Sequence, residues 1–167
     1  MSRLKLYVSI AVIVIIGICI KSKKINMRDM DFTMSKEFRF RVVRIPGDGD
    51  CFFSAIGMQI GVDSKALRKK CILLFKNSDK HEQVLMAIGN DSTNEGYMKR
   101  LANGMFGGHN EMILISNHYN ITIYVYTRTN EGFRKLTTVR PRHTTTSKQV
   151  FLLWDGDSTH YDALSVV

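Results

Sequence analysis

The alternation of apolar and polar residues predicts strands at both ends of the main part of the chain. Four segments have the composition and period of strands: 38–45, 121–127, 149–154 and 161–166. The run at 121–127, ITIYVYT, is the clearest of them. Residues 128–148 are predicted to form a loop region with room for an edge strand near Phe133.

The segment between the first two strands has helical periodicity. Phe52, Ile56 and Ile60 recur every fourth residue, which places them on one buried face. Five helices are predicted, over residues 51–60, 64–76, 80–88, 94–103 and 109–119. Ser64 is the expected N-cap of the second helix, and Asn120 is expected to end the last. Helices between a first strand and a closing set of strands indicate an α/β (α+β) layer fold, with a central β-sheet flanked by helices.

An apolar run precedes this region. Residues 6–20, LYVSIAVIVIIGICI, carry no charge and lie between Lys5 and Lys21. A helix of this length spans about 22 Å at 1.5 Å per residue, whereas the hydrocarbon core of a bilayer is about 30 Å thick. The flanking lysines can snorkel, and local thinning of the bilayer can absorb a modest mismatch. The run therefore predicts an N-terminal hydrophobic helix that is retained as a single-pass membrane anchor.

Two alternatives to a retained anchor remain open. A cleaved signal peptide has an apolar run of similar length, but Gly17-Ile18-Cys19 is a poor cleavage site and basic residues follow at once. A buried core helix is least favoured, because the run is apolar on all sides. The predicted organisation is a membrane anchor or signal peptide at 1–24, a polar linker at 25–37 and a folded domain at 38–167.

The charge of the chain bears on its partners. The net charge is +9 over 167 residues, and residues 1–30 hold six of the 24 basic side chains but only one acidic one. Four of those six follow the apolar run, so the positive-inside rule places the main domain in the cytoplasm. Arg68-Lys69-Lys70 is expected to be a solvated helix face. No basic stripe is interleaved with aromatic residues, which argues against nucleic acid as a partner.

The three cysteines argue against a disulfide scaffold and against a structural zinc site. Cys19, Cys51 and Cys71 cannot all pair within one chain, and their spacing is not that of metal ligands. Reduced thiols in a cytosolic compartment fit better than a disulfide scaffold. We predict no metal and no cofactor.

The most informative feature is the order strand, glycine-acid loop, cysteine, helix. Cys51 is placed at the first turn of its helix, where backbone N–H groups and the helix dipole favour a thiolate and can hold a developing oxyanion. A cysteine nucleophile needs a base, and the base needs a residue that orients it. His160 is the leading base. Asp162 lies two residues later and points to the same face of a strand, so it can fix the tautomer of the histidine ring.

These residues carry a resemblance to a known family. The segment PGDGDCFFSAIG (46–57) resembles the cysteine motif of the ovarian-tumour (OTU) family of deubiquitinating proteases. FGGHNEM (106–112) resembles its Gly-Gly block before a helix, and STHYDAL (158–164) resembles its histidine motif. The strand NITIYVY (120–126) stands where the family has one. The likeness covers about residues 38–165, with the motifs in the family's order.

The resemblance implies a papain-like cysteine isopeptidase of the OTU type. Its substrates would be conjugates of ubiquitin or a ubiquitin-like protein. Matched position by position, Cys51 is the nucleophile, His160 the general base and Asp162 the acid that orients it. Asp48 matches the acid of the catalytic set that shapes the oxyanion loop, residues 48–50. The oxyanion and substrate-binding positions are Gly49, Asp50, Gly107, Gly108 and Trp154.

Two positions depart from the family pattern. Asp50 stands where asparagine is common, and Phe106 stands where tryptophan is common. A second carboxylate beside Cys51 is expected to disfavour the thiolate and slow the enzyme. The alternative function is a membrane-tethered module that binds ubiquitin without turnover, although the complete set of Cys51, His160 and Asp162 argues against it.

Overall fold

The computed structural model describes residues 39–88, 93–143 and 147–167. The predicted anchor at 6–20 and the predicted linker at 25–37 lie outside these residues. Within the described ranges, no helix has the length and apolar character needed to cross a membrane.

The described residues form five strands and five helices. In chain order they are β1 (Phe40–Val43), α1 (Cys51–Ile60), α2 (Ser64–Asn77), α3 (Lys80–Ile88), α4 (Asn94–Ala102), α5 (His109–Tyr119), β2 (Ile121–Thr129), β3 (Gly132–Val139), β4 (Lys148–Asp155) and β5 (His160–Val166). This is the mixed α/β arrangement that the sequence predicts. The helix boundaries agree with the predicted ones to within one residue, and Asn120 ends α5 in the left-handed conformation.

The five strands form one sheet in the order β1-β5-β4-β2-β3. β2 and β4 run parallel, and the other neighbours are antiparallel. In the β4–β5 pair, Asp155 lies opposite His160 and Trp154 lies opposite Tyr161. The turn between these strands therefore brings the last residues of β4 and the first residues of β5 together at one end of the sheet.

The two faces of the sheet pack differently. Side chains alternate along β2, so Ile121, Ile123 and Val125 join the main core, which the helices also line. Tyr126 points the other way, into a smaller cluster whose buried members, in the described part of the chain, come from strands only. Tyr124 and Phe151 stack there with ring centroids 5.2 Å apart.

A glutamine side chain fixes α1 to the sheet. The carboxamide of Gln59 donates to the carbonyl of Phe151 at 2.9 Å and accepts from its N–H at 3.0 Å. It therefore pairs with β4 as a neighbouring strand would. This contact holds the helix that begins at Cys51 in a fixed position relative to the strands.

Two local predictions need correction. Residues 132–139 form a full eight-residue edge strand rather than a loop with a short strand near Phe133. Ser64 is the first residue of α2 and not its cap, because the Asp63 carboxylate accepts the Ala66 N–H at 2.9 Å. Both aspartate and serine cap helices well, so the pair Asp63-Ser64 left the first position ambiguous.

Candidate active site

Cys51 is the first residue of α1, as its sequence predicts. Asp50 occupies the N-cap position, but its side chain makes no capping hydrogen bond. The backbone N–H groups of the first turn are therefore left without a side-chain cap, which is the arrangement that stabilises an anion at a helix start. Cys51 is only 2% exposed, so its thiol lies against the protein rather than in bulk solvent.

The loop before Cys51 is held by its own carboxylate. Asp48 accepts the Asp50 N–H at 2.9 Å, and Gly49 adopts φ +85°, which favours glycine. The Asp50 N–H is thus already engaged, although the resemblance implies Asp50 as one of the oxyanion and substrate-binding positions. Asp48 shapes this loop.

Arg68 holds the loop from the other side. The sequence predicts a solvated face for Arg68-Lys69-Lys70, and this is wrong for Arg68, which is 7% exposed. Its guanidinium pairs with Asp50 Oδ1, at 2.7 Å from Nε and 2.6 Å from Nη2. The second carboxylate beside Cys51 is therefore compensated by a buried cation. Lys69 is exposed, as expected.

The structure brings His160 and Asp162 together on β5. His160 Nε2 lies 3.2 Å from Asp162 Oδ1. Asp162 is 3% exposed, and it also accepts the Ile45 N–H at 2.8 Å and a bond from Arg44 Nη1 at 2.9 Å. These bonds fix the carboxylate, and the carboxylate leaves Nδ1 as the free side of the histidine ring.

Aromatic packing joins the start of α1 to the start of β5. The Phe52 ring contacts the Tyr161 ring edge to face, with centroids 5.3 Å apart. Phe52 follows Cys51 and Tyr161 follows His160, so this contact places the two predicted catalytic segments side by side. Burial, and then the negative charges of Cys51 and Glu111, raise the pKa of Tyr161 to about 12. Tyr161 is therefore a neutral phenol at physiological pH.

Gly107 and Gly108 lie in the segment that links α4 and α5. Gly107 is buried against Phe52, and a Cβ there would lie 2.0 Å from the ring carbon Cδ1. The Gly108 N–H donates to Glu111 Oε2 at 2.7 Å. Glu111 also accepts a bond from the Tyr97 hydroxyl. Glu111 is thus a buried structural acceptor that ties the glycine segment, residues 106–108, to α4 and to the start of α5.

A cleft of about 640 Å³ opens beside His160. The β2–β3 turn, the end of β4 and the β4–β5 turn line it, and Trp154 and Asp162 are among its walls. Trp154 packs against Gly156 and lines the same cleft as His160. Cys51 is not among the lining residues. The cleft therefore borders His160 and Asp162 but not Cys51.

The β4–β5 turn has its own supports. Asp155 accepts the Ser158 hydroxyl at 2.7 Å and the Asp157 N–H at 3.2 Å. These hydrogen bonds hold the pKa of the Asp155 carboxyl below its usual range. The turn ends at Thr159, which takes a positive φ just before His160.

The second described cysteine is inert. Cys71 is fully buried, and desolvation raises the pKa of its thiol far above the usual range. This confirms Cys71 as a small core residue. Among the residues that the structure describes, no group of three or more His, Cys, Asp or Glu side chains is arranged for a metal ion.

Two residues of the site were not predicted from the sequence. Arg44 and Asp162 are 118 residues apart in sequence, and no local sequence pattern predicts that they pair. Arg68 did leave a signal. It falls in helical register with the buried residues Cys71 and Phe75, so it lies on the apolar face of α2.

The family can now be assigned. The family model described as OTU-like cysteine protease matches residues 46–161. The chain belongs to the OTU-like cysteine protease family. The match starts at the glycine-acid loop and ends one residue before Asp162, so it contains the loop, α1, the glycine segment and His160. Among curated proteins, none is significantly similar to this OTU chain in sequence.

Solved OTU domains share the fold. The OTU domain of OTUD1 is 18% identical with a TM-score of 0.60, over 75% of this chain and 85% of that one. The viral OTU protease from Dera Ghazi Khan virus is 20% identical with a TM-score of 0.60, over 77% and 81%. The Hazara virus OTU, solved bound to ubiquitin, is 22% identical with a TM-score of 0.56, over 77% and 82%.

Proposed function

We propose that this OTU protein is a deubiquitinase that hydrolyses isopeptide bonds at the C-terminus of ubiquitin or a ubiquitin-like modifier. The observation that carries the proposal is the His160–Asp162 pair on β5, packed through Tyr161 and Phe52 against the helix that begins at Cys51. A thiol at a helix start and an oriented imidazole are the parts that acyl transfer needs. The ubiquitin-bound Hazara virus OTU supports ubiquitin as the modifier.

In the proposed reaction, the Cys51 thiolate attacks the carbonyl carbon of the C-terminal residue of the modifier. The backbone N–H groups of Cys51 and Gly49 stabilise the tetrahedral oxyanion, since the Asp50 N–H is bound to Asp48. The imidazolium of His160 gives its proton to the departing lysine amine. A thioester remains on Cys51.

The second half of the reaction reverses these roles. His160 takes a proton from water, the resulting hydroxide attacks the thioester carbonyl, and the thiolate of Cys51 leaves. Asp162 keeps Nε2 of the ring occupied in both halves, so Nδ1 carries the proton to and from the reacting atoms. Asp162 acts as the orienting residue, and Asp48 acts by shaping the oxyanion loop.

Covalent capture tests this proposal. The full chain in mild detergent is mixed with ubiquitin that carries a C-terminal thiol-reactive warhead. We expect an adduct with the wild type and with Cys71→Ala, which removes a buried thiol of the same domain, but none with Cys51→Ala. Hydrolysis of a fluorogenic ubiquitin substrate is expected to follow the same order.

Two results would contradict the proposal in different ways. An adduct that survives in Cys51→Ala would place the nucleophile elsewhere. A folded wild type that binds ubiquitin but forms neither adduct nor product would favour a non-catalytic ubiquitin-binding module. Reaction with a ubiquitin-like warhead alone would keep the chemistry and change the modifier.

We further propose that residues 6–20 tether the protease to a membrane with the OTU domain in the cytoplasm. The support is the uncharged apolar run and the excess of basic residues that follow it. A cytoplasmic location also suits a thiol enzyme, because thiols stay reduced there.

A further inference from the structure

The Arg68 side chain is buried and donates hydrogen bonds to several groups inside the protein. Besides the Asp50 carboxylate, its Nη2 donates to the Gly49 carbonyl at 3.0 Å. Its Nη1 donates to the carbonyls of Leu101 at 3.0 Å and Met105 at 2.6 Å. The guanidinium also lies 4.4 Å from the centroid of the Phe53 ring. All of its polar partners are therefore inside the protein.

These partners belong to two separate segments. Gly49 and Asp50 form the loop that precedes Cys51, whereas Leu101 and Met105 lead into Phe106, Gly107 and Gly108. One planar guanidinium thus ties the oxyanion loop to the glycine segment. Gly107 also contacts Phe52 on α1, so the glycine segment packs against the residue that follows Cys51.

Charge gives the contact a second consequence. Asp50 is the residue before Cys51, and its side chain is mostly buried, so an unpaired carboxylate there would oppose a thiolate strongly. The other charged or titratable groups near the start of α1 are Asp48 on the loop, Glu111 on α5, and Tyr161 with the His160–Asp162 pair on β5. Arg68, rather than any of these groups, forms the described ion pair with the Asp50 carboxylate.

We propose that Arg68 is a positioning residue of this OTU site: it fixes the oxyanion loop against the glycine segment and neutralises Asp50, so that Cys51 ionises in a loop of fixed shape. The claim about turnover rests on the proposed function. The claim about ionisation does not, because the reactivity of Cys51 is measurable without any ubiquitin substrate.

The ionisation claim is tested by the rate of iodoacetamide alkylation at Cys51 against pH, followed by peptide mass spectrometry on the full chain in detergent. We expect Arg68→Met to move the midpoint of the profile up by about one pH unit, because Asp50 is left unpaired. The double variant Arg68→Met with Asp50→Asn is expected to return to the wild-type midpoint. Asp50→Asn alone is expected to move it down, since Arg68 is then uncompensated.

The positioning claim is tested with Arg68→Lys. A lysine keeps the charge, but its single ammonium cannot satisfy four carbonyl and carboxylate partners in fixed directions. We expect kcat for a fluorogenic ubiquitin substrate to fall by about 10²-fold with KM within threefold, while the alkylation midpoint stays at the wild-type value. Lys69→Met, one residue along and exposed, is the matched control and should change neither quantity.

The outcomes are distinguishable. An alkylation profile of Arg68→Met that superimposes on the wild type, or a double variant that is not restored, would overturn the ionisation claim. A wild-type kcat in Arg68→Lys would overturn the positioning claim. If Arg68→Met does not fold, the double variant is compared with Asp50→Asn alone: the ionisation claim expects a higher midpoint in the double variant, because the Arg68 cation is gone, and equal midpoints overturn it. If the wild type hydrolyses no ubiquitin substrate, the proposed function fails while the alkylation cycle still decides the role of Arg68.

Discussion

At the scale of single residues, Asp162 connects several parts of the site through one side chain. One buried carboxylate accepts from the Ile45 backbone, from Arg44 and from His160. The Arg44 side chain is 79% exposed, so its ion pair is screened by water and contributes less than the Ile45 bond. Asp162 therefore links the end of β1 to β5 as well as orienting the histidine.

Removing this carboxylate should reduce both stability and turnover. We expect Asp162→Ala to lower the free energy of unfolding by about 1–3 kcal/mol, because the Ile45 N–H is left without an acceptor. We expect kcat/KM to fall about 10²-fold or more, because the imidazole loses its fixed tautomer. Denaturant unfolding and fluorogenic ubiquitin hydrolysis measure the two effects. Asp157→Ala, in the exposed β4–β5 turn, is the stability control, and an equal loss there would contradict the argument.

The residue scale also shows what a sequence can predict about a site. His160 and Asp162 are two positions apart on a strand, so the period of two already places them on one face, and the 3.2 Å contact confirms it. The position of Cys51 at the start of α1 was predictable because the glycine-acid loop and the helix start are contiguous in sequence. Arg44 and Arg68 were not assigned, because their partners lie far away in sequence and only the folded chain brings them together.

At the scale of elements, the contact between α1 and the glycine segment depends on the absence of a side chain. Gly107 lies against the ring of Phe52, and a methyl group there would overlap it. Phe52 in turn contacts Phe53 and Tyr161, at centroid distances of 5.0 and 5.3 Å. The ring cannot move away without disturbing the start of β5.

Gly107→Ala should therefore destabilise the fold and impair the site together. We expect the free energy of unfolding to fall by about 1–3 kcal/mol, which is the usual cost of overpacking a filled core. The matched control is Gly47→Ala, where a Cβ would meet nothing within 4 Å. Thermal unfolding of both variants measures the difference. Equal melting temperatures would show that the Phe52 ring relaxes freely.

The elements themselves were largely predictable, with one informative exception. The helices and the strands β2, β4 and β5 follow from apolar periodicity over buried faces. The full length of β3 was not predicted, although room was left for an edge strand near Phe133, because the exposure of β3 alternates along an edge and its residues are mostly polar. β3 pairs with β2 from Thr129–Gly132 to Ile123–Val139. The sequence of the segment GFRKLTTV alone does not specify this pairing.

At the scale of the whole molecule, the predicted anchor and the OTU domain should be separable. The family match lies within 46–161, and the apolar run at 6–20 ends well before it. We therefore expect a chain that starts at residue 38 to keep the melting temperature of the domain and its kcat/KM on soluble ubiquitin substrates. It should lose association with membranes, measured by flotation with vesicles and by sedimentation from cells.

A full-length variant with two substitutions distinguishes the effect of losing membrane association from the effect of deleting the first 37 residues. Ile13→Lys with Ile15→Lys puts two charges into the middle of the apolar run, which costs about 2.5–3.5 kcal/mol per residue at the centre of a membrane helix. We expect this full-length variant to leave the membrane while its turnover stays at the wild-type value. If it remains in the membrane fraction, the basic residues or the OTU domain bind there by themselves. If turnover falls with either change, the first 37 residues contribute to the folded enzyme, and the boundary at 38 is misplaced.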